Sequence, residues 1–221
     1  MPDSLVVWSG GLDSTVLLYL ERVQDPSAAA ISVDYGQRHR KELDLASSLA
    51  FDLGLDHVVA DVSGLRNVLT GSALTDDAVD VPEGHYADPS MRSTVVPNRN
   101  AILLSVSIGR AIAIGASRVS YAGHAGDHAI YPDCRPAFVE AIGNVARLCS
   151  DSPIWLRSPF VRLTKTDVVR IGADLDVPFE RTWSCYKGGE RHCGRCGTCF
   201  ERREAFADAG VPDPTEYEAT A

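Results

Sequence analysis

Three features of the 221-residue sequence predict an α/β fold: a doubly wound, mostly parallel five-stranded sheet with a small C-terminal metal-binding lobe. Short apolar, β-branched runs alternate with longer stretches whose apolar residues recur at helical spacing, the pattern of strands and covering helices. The first run flows directly into a glycine-rich turn, Ser9-Gly10-Gly11-Leu12-Asp13-Ser14-Thr15, which opens the first helix. Four of the six cysteines, Cys185, Cys193, Cys196 and Cys199, crowd together near the end of the chain.

Taken in order, Leu5 to Trp8 reads as the first strand and Asp13 to about Val23 as the first helix. Ala28 to Asp34 (AAAISVD) is almost wholly apolar, as a strand covered on both faces must be. Arg38 to Leu53 places Leu43, Ala46, Leu49, Ala50 and Leu53 on one helical face, and His57 to Val62 forms the third strand. The stretch 72–96, dense in Pro, Gly and Asp, reads as a lid or binding loop, because unstructured connections of this length are uncommon in compact domains. Asn98 to Ile114 is a strongly apolar helix and Arg118 to Tyr121 the fourth strand. A helix over Arg135 to Leu148, an extended segment over Ile154 to Arg157 and a helix over Thr164 to Asp174 complete an α/β unit of residues 1–175. The cysteine cluster and a short last helix make a separate lobe, 176–221.

Composition excludes several classes of function. With 45% hydrophobic and 23% charged residues the chain is ordinary globular protein. Its apolar stretch around Ala101 to Ile108 is broken by serines and stopped by Arg110, short of the roughly 20 residues a membrane span needs. The N-terminus lacks a basic region followed by a long apolar run, so a cytoplasmic protein is expected. A net charge of −9 with only three lysines repels phosphate backbones, which argues against a nucleic-acid partner.

The glycine-rich turn admits two readings. It could be a plain turn, with Asp13 or Ser14 capping the helix. It could instead cradle a pyrophosphate, since glycines let an anion approach the unpaired N–H groups of a helix start. No lysine follows the glycines, so it is not a Walker A loop. SGGLDST resembles the SGGxDS loop of the ATP pyrophosphatases, which cleave ATP to AMP and pyrophosphate. Further along come VDYGQRH (33–39), VPNRN (96–100), YPDCR (131–135) and TWSCYKGGERHCGRCGTCFERREAF (182–206). Together they resemble the 7-cyano-7-deazaguanine synthases of queuosine precursor biosynthesis, over residues 5 to about 213.

The resemblance implies an adenine-nucleotide α-hydrolase-like fold and an ATP-dependent carbon–nitrogen ligase. Its substrates would be 7-carboxy-7-deazaguanine and ammonia, joined through an acyl-adenylate and an amide, with magnesium on the phosphates and a homodimer as the expected assembly. A relative that stops at the amide, or passes the adenylate to another amine, is the alternative. For ATP contact it nominates the stretch Trp8, Ser9, Gly10, Gly11, Leu12, Asp13, Ser14, Thr15, Val16, Leu17 and Leu18, with Val33 and Tyr35 near the adenine. Asp13 would hold magnesium, Arg99 and Lys165 would stabilise charge on the α-phosphate, and Asp133 and Arg135 would meet the base and its carboxylate.

The cysteine spacing is Cys185-x7-Cys193-x2-Cys196-x2-Cys199. Four thiolates in one tight loop suit a closed tetrahedral zinc site, one structural ion per chain, without an open position for a catalytic water. Disulfides and a redox CxxC are the competing readings, disfavoured by the absent secretion signal and the overlapping pairs. Residues 181–204 hold six Arg or Lys against three Glu, too mildly basic for a nucleic-acid ribbon. Cys134 reads as a buried thiol rather than a nucleophile.

Overall fold

The computed structural model describes residues 1–219. Five strands form: β1 (Ser4–Val7), β2 (Ala29–Asp34), β3 (His57–Asp61), β4 (Arg118–Ser120) and β5 (Trp155–Arg157). They pair in the order β3-β2-β1-β4-β5, and every pairing is parallel. The helices are α1 (Leu12–Gln24), α2 (Lys41–Asp52), α3 (Arg99–Ile114), α4 (Pro136–Leu148), α5 (Lys165–Asp174) and α6 (Gly197–Ala209).

Side-chain alternation along the strands divides the core into two layers. On one face Val6, Trp8 and Ala30 pack with α1, α2, α5 and α6 through Leu17, Leu49, Val168 and Phe206. On the other, Leu5, Ile31, Val33 and Val119 pack with α3 and α4 through Leu104, Ile108 and Ala146. The chain runs outward from β1 through β2 to β3, then returns to place β4 on the other side of β1. That reversal opens a crevice at the carboxyl ends of β1 and β4, where ligands bind in such sheets.

Two expected elements differ in detail. The helix predicted from Arg38 begins at Lys41, because Arg38 is tied elsewhere: its N–H donates to Leu74 O (2.7 Å) and its guanidinium to Asp76 O (2.9 Å) and Val79 O (3.1 Å). The stretch 72–96 is irregular, as expected, but it is anchored. Ala73, Leu74, Met91 and Thr94 are fully buried, and Ala73 N–H donates to Ser93 O (2.7 Å) across its base. Its middle pairs with the cysteine lobe through the Glu83–Cys196 bridge and Gly84 N–H to Arg195 O (3.0 Å).

Within the C-terminal segment, the chain before the cysteine cluster and the chain after α6 are tied together by Arg202 of α6, which has no solvent exposure. Its guanidinium donates to Thr182 Oγ1 (2.8 Å), Ser184 Oγ (3.0 Å), Phe179 O (2.9 Å) and Thr215 Oγ1 (2.6 Å), and Asp213 stands 3.7 Å away. Removing a buried cation with this many partners costs roughly 3 kcal/mol, because the groups it served are left unpaired. Among the described residues no helix is long and apolar enough to cross a membrane.

Candidate active site

The glycine-rich turn lies at the switch point. Gly11 is the N-cap of α1 and no side chain caps the helix, so the amides of Leu12, Asp13 and Ser14 have no partner within it. The capped-turn reading therefore fails on geometry. Asp13 sends its Oδ2 to Lys165 Nζ (2.8 Å), while Ser14 Oγ meets Ser9 Oγ (3.1 Å) and donates to Gly11 O (3.2 Å). What remains is an uncapped helix start with a partial positive charge, ready for an anion.

Around it, three other segments contribute ionisable side chains: α5, α6 and the turn after β4. Lys165 Nζ, from the first turn of α5, sits between Asp13 Oδ2 and Glu201 Oε2 (3.3 Å) of α6. Burial opposes the lysine's charge, but Asp13 and Glu201 more than offset it and hold its pKa above the ordinary value. Burial likewise opposes the Asp13 charge, and Lys165 and His124 overcome it, so the carboxylate stays below its usual range. Lys165 is thus not a solvated helix lysine. His124 Nε2 stands 3.6 Å from Asp127 Oδ2 and 3.9 Å from Asp13 Oδ2. Its Nδ1 accepts from Gly126 N–H (3.1 Å), which places the imidazole proton on Nε2, toward the carboxylates.

The nominated residues divide into three groups. Ser9, Gly11, Leu12, Asp13, Ser14, Tyr35, Arg99 and Lys165 line one cleft. Trp8, Val16, Leu17 and Leu18 belong to the core, and Trp8 Nε1–H donates to Thr15 Oγ1 (3.0 Å). Thr15 in turn donates to Gly11 O (2.8 Å), and Val33 of β2 is buried in the layer that packs against α3. These residues hold the loop from behind, and any contact from them to a nucleotide would come from backbone.

Asp133 and Arg135 are not among the side chains that line the cleft, whereas their neighbours Asn100 and Cys134 are. Asp133 Oδ2 accepts the Asn100 N–H (3.0 Å) and so caps the start of α3. Arg135 is exposed, with Nε donating to His128 O (2.9 Å). Cys134 between them is 2% exposed and receives the Asn100 amide at 3.2 Å; burial pushes its thiol pKa up, so it is a poor nucleophile.

Sequence reasoning missed His39, Glu42, His124, Asp127 and Tyr186, which also line the cleft, and Glu201 behind Lys165. Glu42 and His39 are both strongly perturbed by burial. Burial raises the Glu42 pKa to about 8, only partly opposed by the Gln37 hydrogen bond (3.1 Å) and the Arg99 charge. Burial and the Arg99 and Arg38 charges push His39 down to about 3, so the imidazole is neutral. The motif VDYGQRHRKE carried both residues, and the signal available was a charged pair on the buried side of a predicted helix.

The four cysteine sulfurs lie within 4.8 Å of one another, all buried. Cys193–Cys199 and Cys185–Cys196 are separated by 4.0 Å and Cys196–Cys199 by 3.5 Å. Zinc–sulfur bonds of about 2.3 Å in a tetrahedron set sulfurs about 3.8 Å apart, so this donor set fits one such ion. Trp183, Ser184, Tyr186 and Thr198 of the same lobe line the cleft, so the cluster shapes a wall of the site.

A parallel sheet whose switch point presents an uncapped SGG helix start defines an α/β protein with a cleft able to receive an anion. Among solved structures, the fold is similar to that of NMN synthetase from Francisella tularensis, with TM-score 0.53 at 15% identity over 95% of this chain and 78% of that one. The chain belongs to the family of the queuosine biosynthesis protein QueC, whose model matches residues 3–210. It is 57% identical over 217 residues to the 7-cyano-7-deazaguanine synthase of Paracoccus denitrificans (strain Pd 1222), covering 97% of this chain and 93% of that protein. To the 7-cyano-7-deazaguanine synthase of Rhizobium rhizogenes (strain K84 / ATCC BAA-868) it is 54% identical over 217 residues, 97% of this chain and 92% of that one.

The buried Glu42 makes stability depend on pH. Its folded pKa of about 8 exceeds the ordinary 4.5, so its contribution is complete below about 4.5 and lost as pH rises through about 8. His39 acts oppositely: its folded pKa of about 3 lies below the ordinary 6.5, and its contribution disappears only as pH falls through about 3. Glu42→Gln cannot ionise. The melting temperature of wild type should therefore fall relative to that of the variant between about pH 4.5 and about pH 8 and stay level above it; a constant gap across that window contradicts the assignment.

Proposed function

We propose that the protein is an ATP-dependent carbon–nitrogen ligase that converts 7-carboxy-7-deazaguanine and ammonia to 7-cyano-7-deazaguanine, releasing AMP and pyrophosphate. The observation that carries this reading is full-length similarity, at 54% and 57% identity, to proteins named for that product. The cleft supplies a chemical rationale. A carboxylate at neutral pH is a poor electrophile, so its oxygen must first be turned into a leaving group.

The uncapped amides of Leu12, Asp13 and Ser14 and the Ser9 hydroxyl would hold the departing pyrophosphate. Asp13 Oδ1 is buried without a hydrogen-bond partner, an orphan hard oxygen that fits magnesium, which when bound neutralises phosphate charge. Lys165 and Arg99 would meet charge developing at the α-phosphorus. The substrate carboxylate attacks that phosphorus, pyrophosphate leaves, and ammonia displaces AMP from the acyl carbon to give the primary amide. A second ATP adenylates the amide oxygen. Loss of AMP and of the remaining nitrogen protons leaves the nitrile.

Residues 1–175 form the nucleotide-binding unit in this reading, and the four-cysteine lobe carries one structural zinc. A cytoplasmic homodimer acting on small molecules completes it.

For the lobe, one zinc per chain is expected by elemental analysis. Cys196→Ser should lose it and the soluble yield, whereas Cys149→Ser, remote from the cluster, should keep both. Full zinc in Cys196→Ser would mean the ligand set is wrong.

The reaction should pass through 7-amido-7-deazaguanine, because one displacement cannot remove both oxygens. With ATP limiting, mass spectrometry of timed samples should show the amide building up, and supplied amide should become nitrile without ammonia. If supplied amide is never dehydrated and the acid reaction ends with one AMP, the chain is an amide-forming relative.

A further inference from the structure

A second network of side chains lines the cleft beside the phosphate machinery. Arg99 lies over the Tyr35 and Tyr131 rings, and Tyr131 Oη meets Tyr186 Oη at 3.2 Å. The Tyr186 ring packs on His39 at 5.5 Å, and His39 Nε2 stands 3.6 Å from Glu42 Oε1. The ring faces of Tyr35, His39, Tyr186 and Trp183 suit a flat heterocycle.

Glu42 is the carboxyl of this network, and it is held in place. Gln37 Oε1 accepts the Tyr35 N–H (2.9 Å), and its Nε2 donates to Glu42 Oε1 (3.1 Å). Among the described residues no donor reaches Glu42 Oε2, and no arginine or lysine pairs with it. His39 Nδ1, in a side chain 6% exposed, is buried without a partner. A buried polar group left this way costs free energy unless something completes it, and its place beside Glu42 on the cleft wall points to a ligand.

The chemistry of the two candidate ligands separates them. A guanine-type base presents adjacent N–H donors on its Watson–Crick edge, N1–H and the 2-amino group, whereas adenine presents a donor beside an acceptor. A carboxylate accepts two parallel N–H bonds, as it does from a guanidinium, and two such donors favour the ionised form over the neutral acid that burial alone favours. Given a 7-deazaguanine substrate, we propose that Glu42 accepts the N1–H and 2-amino protons of the base and sets the guanine-type specificity of the site, with Gln37 fixing its carboxyl. This assigns the edge-reading role to α2 in place of Asp133 and Arg135, whose side chains do not line the cleft.

Calorimetric titration of the full-length, metal-loaded protein with 7-carboxy-7-deazaguanine and with its 2-desamino analogue tests this without turnover. Metal content and circular dichroism report folding. Wild type should prefer the amino-bearing base by roughly 10–100-fold, and Glu42→Gln should bring the two ligands within about 3-fold, with ATP affinity unchanged. A folded Gln variant that keeps the wild-type preference overturns the assignment, as does one that loses ATP affinity while the preference holds. Should the Gln variant not fold, Glu42→Asp withdraws the carboxylate by one methylene, and an undiminished preference there overturns it equally. If wild type binds neither base, the substrate reading itself fails, an outcome distinct from a preference that ignores Glu42.

Discussion

The site depends on the close approach of backbones at Gly10. Its φ of +83° lies in the left-handed region, and a Cβ there would stand 2.3 Å from Glu42 O. Gly10 O accepts the Trp183 N–H (3.0 Å). One residue without a side chain thus lets three segments meet: the glycine-rich turn, the first turn of α2, and the stretch of chain that leads into the cysteine cluster. Any larger residue would push α2 away from the turn and with it the carboxyl of Glu42.

From this contact the two halves of the cleft follow. The turn is braced from below by the Trp8–Thr15–Gly11 hydrogen bonds, which leave the α1 amides facing outward. The lobe is braced by Arg202, which organises Thr182 and Ser184 on either side of Trp183. α6 has Cys196 as its N-cap, carries Cys199, and two residues later delivers Glu201 to Lys165. The four-cysteine lobe and the glycine-rich turn are therefore one mechanical unit: what orders the cysteines also orders a charge beside Asp13.

Much of this was legible in the sequence, and the reasons are local. Strands buried on both faces show as apolar runs, so Ala29–Asp34 could be found from AAAISVD alone. The turn after β1 and the cysteine spacing carry their chemistry in consecutive residues. Long-range partners were not legible. Lys165 and Asp13 are 152 residues apart, and their contact is a product of the sheet order. Asp133 sits in a motif that invites a substrate role, yet its carboxylate serves an α3 amide, a competition that only the tertiary structure decides. Glu42 and His39 lie in a segment whose burial depends on distant chain: Gly10 against the Glu42 backbone, and Tyr186 and Gly188 against His39.

The central claim is that a single phosphate-binding turn activates the same carbon twice through α-phosphorus. Substrate carrying oxygen-18 in both carboxylate oxygens, taken to completion and analysed by mass spectrometry, tests it most directly. Each carboxylate oxygen should leave on a separate AMP, so that all AMP formed is singly labelled and pyrophosphate carries no label. Label in pyrophosphate, or AMP of which only half is labelled, would contradict two successive adenylations in this cleft.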